Sequence, residues 1–141
     1  MRDIIVGIDR SETAGLAAQR AAELAAAYGD NLHIVMCIER GGSVEVQVGT
    51  DRFRLDNLAE TEQFLSDVGR RLGATAFTHS VRHGDPAKIL CEEARERDAR
   101  AIVVGNRRVQ GMSRVLGSVA ADVVKSAPCD VLIANTTGKN D

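Results

Sequence analysis

Aromatic side chains are scarce in this chain: three Phe, one Tyr and no Trp among 141 residues. A core of large rings is therefore excluded. With 44% of residues hydrophobic, the interior must be built from Val, Ile, Leu and Ala, which suits tightly packed helices on a parallel sheet. Proline is limited to two residues, Pro86 and Pro128, so no proline-rich linker divides the sequence. The three cysteines, Cys37, Cys91 and Cys129, are odd in number and widely spaced, which excludes a disulfide framework or a CxxC metal site. Each has apolar neighbours and reads as a buried free thiol. No segment approaches the roughly 18 apolar residues of a membrane span, and the opening MRDIIVGID has an acidic residue and too short an apolar run for a signal peptide. No large excess of one charge exists either. A net charge of −2 argues against a protein whose task is to neutralise a nucleic acid or a membrane surface. The expectation is one domain over residues 1–141, in a reducing cytoplasm, stable without a metal or a disulfide.

What the chain has in abundance is short apolar runs separated by helical patterns. Ile4–Ile8, Leu32–Ile38, Ala101–Val104 and Val131–Ala134 read as strands, the first two of them buried on both faces. Ala74–Val81 is half polar, containing Thr75, Thr78, His79 and Ser80, and reads as an edge strand. Between them, Ala14, Ala17, Ala18, Ala21, Leu24, Ala25 and Tyr28 keep a 3/4 spacing that Gly29 ends, and Leu55, Leu58, Thr61, Leu65, Val68 and Leu72 keep another that Gly73 ends. Asp85-Pro86 starts a third helix, with the acid as cap and proline where its missing N–H costs nothing. A fourth, with Val119, Ala120, Val123, Val124 and Ala127, stops at Pro128. Residues 39–51 are polar and glycine-containing, and the alternation Val44, Val46, Val48 suggests a small edge strand or a loose flap. Five strands alternating with four helices specify a doubly wound α/β fold: a parallel sheet with right-handed crossovers and helices on both faces.

The most informative stretch is Ala101–Ser118. A strand ends at Gly105, a loop containing Arg107, Arg108 and Arg114 follows, and Gly117-Ser118 opens a helix. Ligands of open parallel sheets bind beyond the carboxyl ends of the strands, and phosphates favour helix N-termini. If the first and fourth strands meet at a switch point, Asp9 comes beside Gly105. Other chemistry has little support. His33, His79 and His83 have no partner identifiable by spacing, no cluster has metal-ligand spacing, and Ser11 and Ser118 read as helix caps. The SGGxDS and HIGH signatures of adenylating enzymes are absent.

Together IIVGID with Ser11, HGDPAKIL, AIVVGN, GSVA and APCDVLI, in this order and covering nearly the whole chain, resemble the universal stress protein family. The resemblance implies a Rossmann-like, adenine nucleotide alpha hydrolase-like fold with strand order 3-2-1-4-5, and a homodimer formed through the fifth strand. Many members bind ATP through G-x2-G-x9-G-[S/T], while another branch lacks the motif and does not. By this resemblance Asp9 would contact the ribose or adenine region, the backbone at Cys37 and Val104 would border the adenine, and Gly105, Gly117, Ser118 and Val119 would hold phosphates. The chain departs from the motif: Arg108 stands where the second glycine belongs, eleven residues instead of twelve separate Gly105 from Gly117, and Gly111 is the glycine left inside the loop. Loss of a glycine weakens a phosphate-binding nest, whereas an arginine offers a bidentate contact in its place. The resulting expectation is a stress-response protein that binds ATP or another adenine nucleotide, with Mg2+ arriving on the nucleotide. Binding, more than turnover, would be its output, ordering the loops at 106–116 and 39–51 for an unknown protein partner. At most a slow ATP hydrolysis or autophosphorylation would accompany it. The alternative is a dimeric interaction module whose nucleotide site has degenerated.

Overall fold

The computed structural model describes residues 1–8, 12–38, 44–48, 51–55, 58–106 and 117–136, with residues 12–14, 44–48 and 51–55 described by backbone alone. In chain order the elements are β1 (Asp3–Ile8), α1 (Glu12–Tyr28), β2 (Asn31–Ile38), β3 (Val44–Val48), β4 (Asp51–Leu55), α2 (Leu58–Arg71), β5 (Phe77–His83), α3 (Pro86–Arg97), β6 (Ala101–Gly105), α4 (Ser118–Ser126) and β7 (Asp130–Ala134). Five strands form one parallel sheet in the order β5-β2-β1-β6-β7. Numbering only these five, the order is the expected 3-2-1-4-5.

Alternation along the strands divides the core in two. On one face Ile4, Val6, Ile8, Leu32, Ile34, Met36 and Val103 pack under α1 and α2, which contribute Ala17, Ala18, Ala21, Ala22, Ala25 and Leu65. On the other, Ile5, Val35, Ile102 and Val104 meet Ala87, Leu90, Cys91 and Ala94 of α3 and Ala120 and Val123 of α4. Because β1 and β2 are buried on both faces, nearly every residue in them is apolar, and the alanines of α1 let that helix lie close to the sheet.

Two helix ends are capped as expected, whereas Ser118, expected as a cap, is the first residue of α4 itself, behind the N-cap Gly117. Asp85 accepts a 3.0 Å hydrogen bond from the Lys88 N–H with Pro86 in the first turn, and Gly29, at φ +69°, ends the run of α1. Three expectations need correction. Leu55 ends β4 instead of opening α2, because Val44–Val48 and Asp51–Leu55 pair as antiparallel strands, with Val44 opposite Leu55. The edge strand is shifted to Phe77–His83, since Ala74–Ala76 are used in leaving α2. Tyr28 is 55% exposed, and Arg100, which lies beyond the end of α3, stacks over its ring at 4.3 Å. The proposed cap Ser11 lies outside the described residues. Among the described residues, no helix is long and apolar enough to cross a membrane.

Where charge is buried, it lies at the amino ends of the strands. The Asp30 side chain, 2% exposed, accepts hydrogen bonds from the Arg100 guanidinium and, at 3.0 Å, from the Arg2 backbone N–H. One carboxylate thereby ties the N-terminus to the α1–β2 and α3–β6 connections. The Arg100 hydrogen bond, the largest influence, holds the Asp30 pKa below its ordinary 3.8 despite burial. A depressed carboxylate pKa stabilises the fold above the unfolded value, and that contribution is lost as the pH falls below it. We expect the urea midpoint of the wild type to drop between pH 5 and 3, and an Asp30→Asn variant, already weakened at pH 7, to show a shallower drop over about the same range. Parallel pH profiles of the two proteins would count against this role.

Candidate functional site

Strand β1 lies between β2 and β6, and the chain leaves these neighbours in opposite directions across the sheet. This is a topological switch point, and the crevice beyond its carboxyl ends is where a doubly wound sheet accepts a ligand. The pairing of β1 with β6 runs from Ile4–Ala101 to Val6–Val103, and the two parallel strands end two residues further on, at Ile8 and Gly105. Asp9, Arg108 and Gly111 lie outside the described residues. The other candidates, Cys37, Val104, Gly105, Gly117, Ser118 and Val119, fall at the ends of β2 and β6 and the start of α4.

The structure brings several of these together on one sheet face. Val104 is buried in the α3/α4 core with Ala120, and half-buried Cys37 packs against the same cluster. Between β2 and β6 on this face, Gly7 presents no side chain: a Cβ there would meet both Leu90 methyls at 3.3 Å. The sheet is thus lowest where β1 reaches the crevice. At the start of α4, Gly117 takes the N-cap position in an extended conformation, φ −64° and ψ 160°, with no side-chain cap. Its carbonyl accepts from the Ala121 N–H at 2.9 Å, so the first turn is formed. Uncapped N–H groups and the positive end of the helix dipole are the physical basis of anion binding at such a turn. Ser118 is exposed and Val119 is 38% exposed, so neither side chain is committed to the core.

Gly105 has a structural reason to be glycine that requires no ligand. A Cβ at this position would lie 2.8 Å from Thr136 Cγ2 and 3.1 Å from Thr136 Oγ1. Thr136 is held there by Asn106: its N–H donates to Asn106 Oδ1 at 2.8 Å, and its hydroxyl donates to the Asn106 carbonyl. The Asn106 N–H in turn donates to the Ala134 carbonyl at 3.0 Å. This Asn106–Thr136 clasp, at the point where the chain enters the arginine loop, was not anticipated from the sequence. Its only local sign is the polar Asn directly after a strand-ending glycine.

Elsewhere the reactive groups are quiet. Burial pushes the Cys91 and Cys129 thiols above their ordinary value of 9.0, away from the nucleophilic thiolate; none of the three cysteines is in a disulfide, and of the three expected buried thiols Cys91 is buried while Cys37 and Cys129 are half-buried. Among the described residues, no group of three or more His, Cys, Asp or Glu side chains is arranged to hold a metal ion.

A doubly wound parallel sheet with an uncapped helix start at its switch point defines a Rossmann-like α/β protein. The profile of the Universal stress protein family matches residues 1–135, and the chain belongs to that family. It is 27% identical over 140 residues to a universal stress protein of Staphylococcus haemolyticus, covering 96% of this chain and 85% of that one. A universal stress protein of Synechocystis is likewise 27% identical, with 92% of this chain and 95% of the relative covered. Among solved structures, a universal stress protein in complex with cAMP superposes with a TM-score of 0.71 at 28% identity, over 96% of this chain and 98% of that one. The Archaeoglobus fulgidus universal stress protein in complex with dAMP gives 0.66 at 27% identity, over 94% and 97%.

The contact at Gly105 makes a direct prediction. Gly105→Ala should lower the unfolding free energy by about 1–3 kcal/mol through overpacking, and adding Thr136→Ser, which removes the Cγ2 methyl, should recover part of the loss. Denaturant titration of the three proteins checks this. A single variant as stable as wild type would show that Thr136 imposes no constraint on position 105.

Proposed function

We propose that the protein binds an adenine nucleotide at the carboxyl ends of β1 and β6, and that occupancy of the site, with little or no turnover, is its output. The observation that carries this reading is the convergence of Val104, Gly105 and the uncapped start of α4 at the switch point beside Gly7. Two universal stress proteins of the same fold were solved with cAMP and dAMP, which supports an adenine nucleotide as the ligand class. On this reading the base lies toward Cys37 and Val104, with Asp9 at the ribose. The phosphates lie against Gly105, Gly117, Ser118 and Val119, with Arg108 and Gly111 supplied by the intervening loop. ATP is the proposed ligand among the adenine nucleotides, and Mg2+ would enter coordinated to its phosphates. Arg108 takes over from the missing motif glycine by donating two charge-assisted hydrogen bonds to a phosphate. The reading places a single domain, 1–141, in the cytoplasm.

A second reading, a dimeric interaction module without a nucleotide, has an observation of its own. Thr136 explains glycine at 105 without any phosphate, so that glycine alone is not a sign of binding. Both readings share a homodimer formed through β7. That strand is the edge of the described sheet, and it leaves Leu132 and Ile133 41% and 40% exposed. An apolar parallel-sheet edge is a liability that pairing with a second copy removes.

Calorimetric titration with ATP, AMP, cAMP and adenosine, with and without Mg2+, separates the readings. We expect micromolar binding of the phosphorylated ligands, weakened roughly tenfold or more by Arg108→Ala, with adenosine affinity unchanged by that substitution. Absence of heat with every nucleotide, from folded protein, would favour the interaction module. For assembly, sedimentation velocity should give a dimer for the wild type and a monomer for Ile133→Asp; a monomeric wild type at micromolar concentration would remove the β7 interface.

A further inference from the structure

Away from the crevice, in the amino-terminal half of the sheet, one fully buried titratable side chain is left unused by the proposed function. His33 of β2 is 0% exposed, on the face covered by α3. Its Nδ1 lies 2.7 Å from Thr78 Oγ1 and its Nε2 3.1 Å from Ser80 Oγ, both on the edge strand β5, while Glu93 Oε1 of α3 lies 3.5 Å from Nε2. The contacts close into a ring. Asn31 Nδ2 donates to Thr78 Oγ1 and to Asp3 Oδ1, each at 2.9 Å; Arg97 donates to Asp3 Oδ2 at 2.9 Å; and Arg97 Nε faces Glu93 Oε2 at 3.9 Å. Three strands and one helix are joined by this circuit.

Its hydrogen-bond directions follow from the chemistry of the partners. A carboxylate only accepts, so the ring nitrogen that faces Glu93 carries the proton, and Nδ1 is the bare acceptor. Thr78 therefore accepts from Asn31 and donates its hydroxyl proton to Nδ1. Every member is satisfied with a neutral imidazole. A second proton would arrive at Nδ1, where the Thr78 O–H already points, and Thr78 would have to turn its hydroxyl outward before it could accept. Thr78 is exposed on the sheet edge, so water can take that hydroxyl proton.

The charged groups facing the ring are Asp3 from β1 and Glu93 and Arg97 from α3; β5 presents only the hydroxyls of Thr78 and Ser80. Burial first, and then Arg97, hold the ring below its ordinary pKa of 6.5 against the opposing pull of Glu93 and Asp3. A folded-state pKa below that of the unfolded chain stabilises the fold above 6.5, and this contribution is lost as the pH falls through that value toward the folded one.

We propose that the His33 circuit is an acid-released latch: uptake of one proton by the imidazole breaks the existing Thr78 hydrogen bond and loosens the edge strand β5, which then rests on its backbone pairing with β2 and on the Arg82–Glu92 ion pair to α3. The proton comes from solvent at the edge and binds Nδ1. No other covalent bond is made or broken, and the Thr78 hydroxyl turns to solvent. Strand β5 is the element that yields, because it is paired on one side only in the described sheet and its outward residues are polar.

The test is hydrogen exchange of the full-length protein between pH 7.5 and 5, corrected for intrinsic rates, comparing wild type with His33→Gln, which keeps hydrogen-bonding capacity and does not titrate. In wild type the protection of amides 77–83 should fall about tenfold for each unit by which the ring's pKa is depressed, ahead of β1 and β6. The variant should show no such step. Titration of the His33 ring by NMR in unmodified protein serves as a second readout, independent of whether the variant folds. A ring that titrates at or above 6.5, or a wild type and variant that share one pH profile across 77–83, would overturn the latch.

Discussion

Everything in this molecule depends on β1 being enclosed. It is hydrogen-bonded to a strand on each side and covered by helices on each face, so its side chains have no solvent to turn toward. That constraint explains the β-branched run Ile4-Ile5-Val6 and the alanine surface of α1. It also accounts for the glycine in β1 opposite Leu90, because helices can lie close to a sheet only where side chains are small. With few aromatics available, dense packing of small and branched side chains is the means by which this chain makes a core.

Polar groups are distributed along the sheet in a way that follows from this enclosure. At the amino ends the carboxylates are paired, and two of the three are buried: Asp30 with the Arg100 guanidinium and the Arg2 backbone N–H, Glu93 near His33, and the partly exposed Asp3 with Arg97. At the carboxyl ends of β1 and β6 the last strand residues are glycine or apolar, Asn106 is bound to Thr136, and the open hydrogen-bonding capacity lies in the backbone of a helix start. One end of the sheet is closed by its own electrostatics, and the other is left for something else to complete. Partners that are satisfied within the protein stabilise the fold, whereas backbone donors that are left open can serve a ligand.

Much of the architecture was legible because its signals are local. A two-sided buried strand reads as a continuous apolar run, Asp85-Pro86 states a helix start in two residues, and Gly29 marks a stop by its left-handed backbone. The strand pair Val44–Val48 and Asp51–Leu55 was misread in part, because Leu55, Leu58, Thr61 and Leu65 maintain helical spacing across a boundary that only the alternation Arg52-Phe53-Arg54-Leu55 contradicts. Arg100 carries no local signal, because its partners Asp30 and Tyr28 are some seventy residues away and become neighbours only when the sheet forms. At the candidate site, the importance of Gly105 was visible and its reason was not. Thr136 reaches it through the pairing of β6 with β7, which no short-range pattern encodes. The contributions of Asp9, Arg108 and Gly111 lie beyond the described residues.

The Asn106–Thr136 clasp joins two places with different exposures. Asn106 stands at the mouth of the crevice, and Thr136 lies two residues past the end of the exposed edge strand. The clasp therefore continues the β6–β7 pairing by one more step, binding the chain that leaves the edge strand to the last described residue before the arginine loop. Sheet edge and crevice mouth thus share one polar junction, and a Cβ at Gly105 would intrude on it.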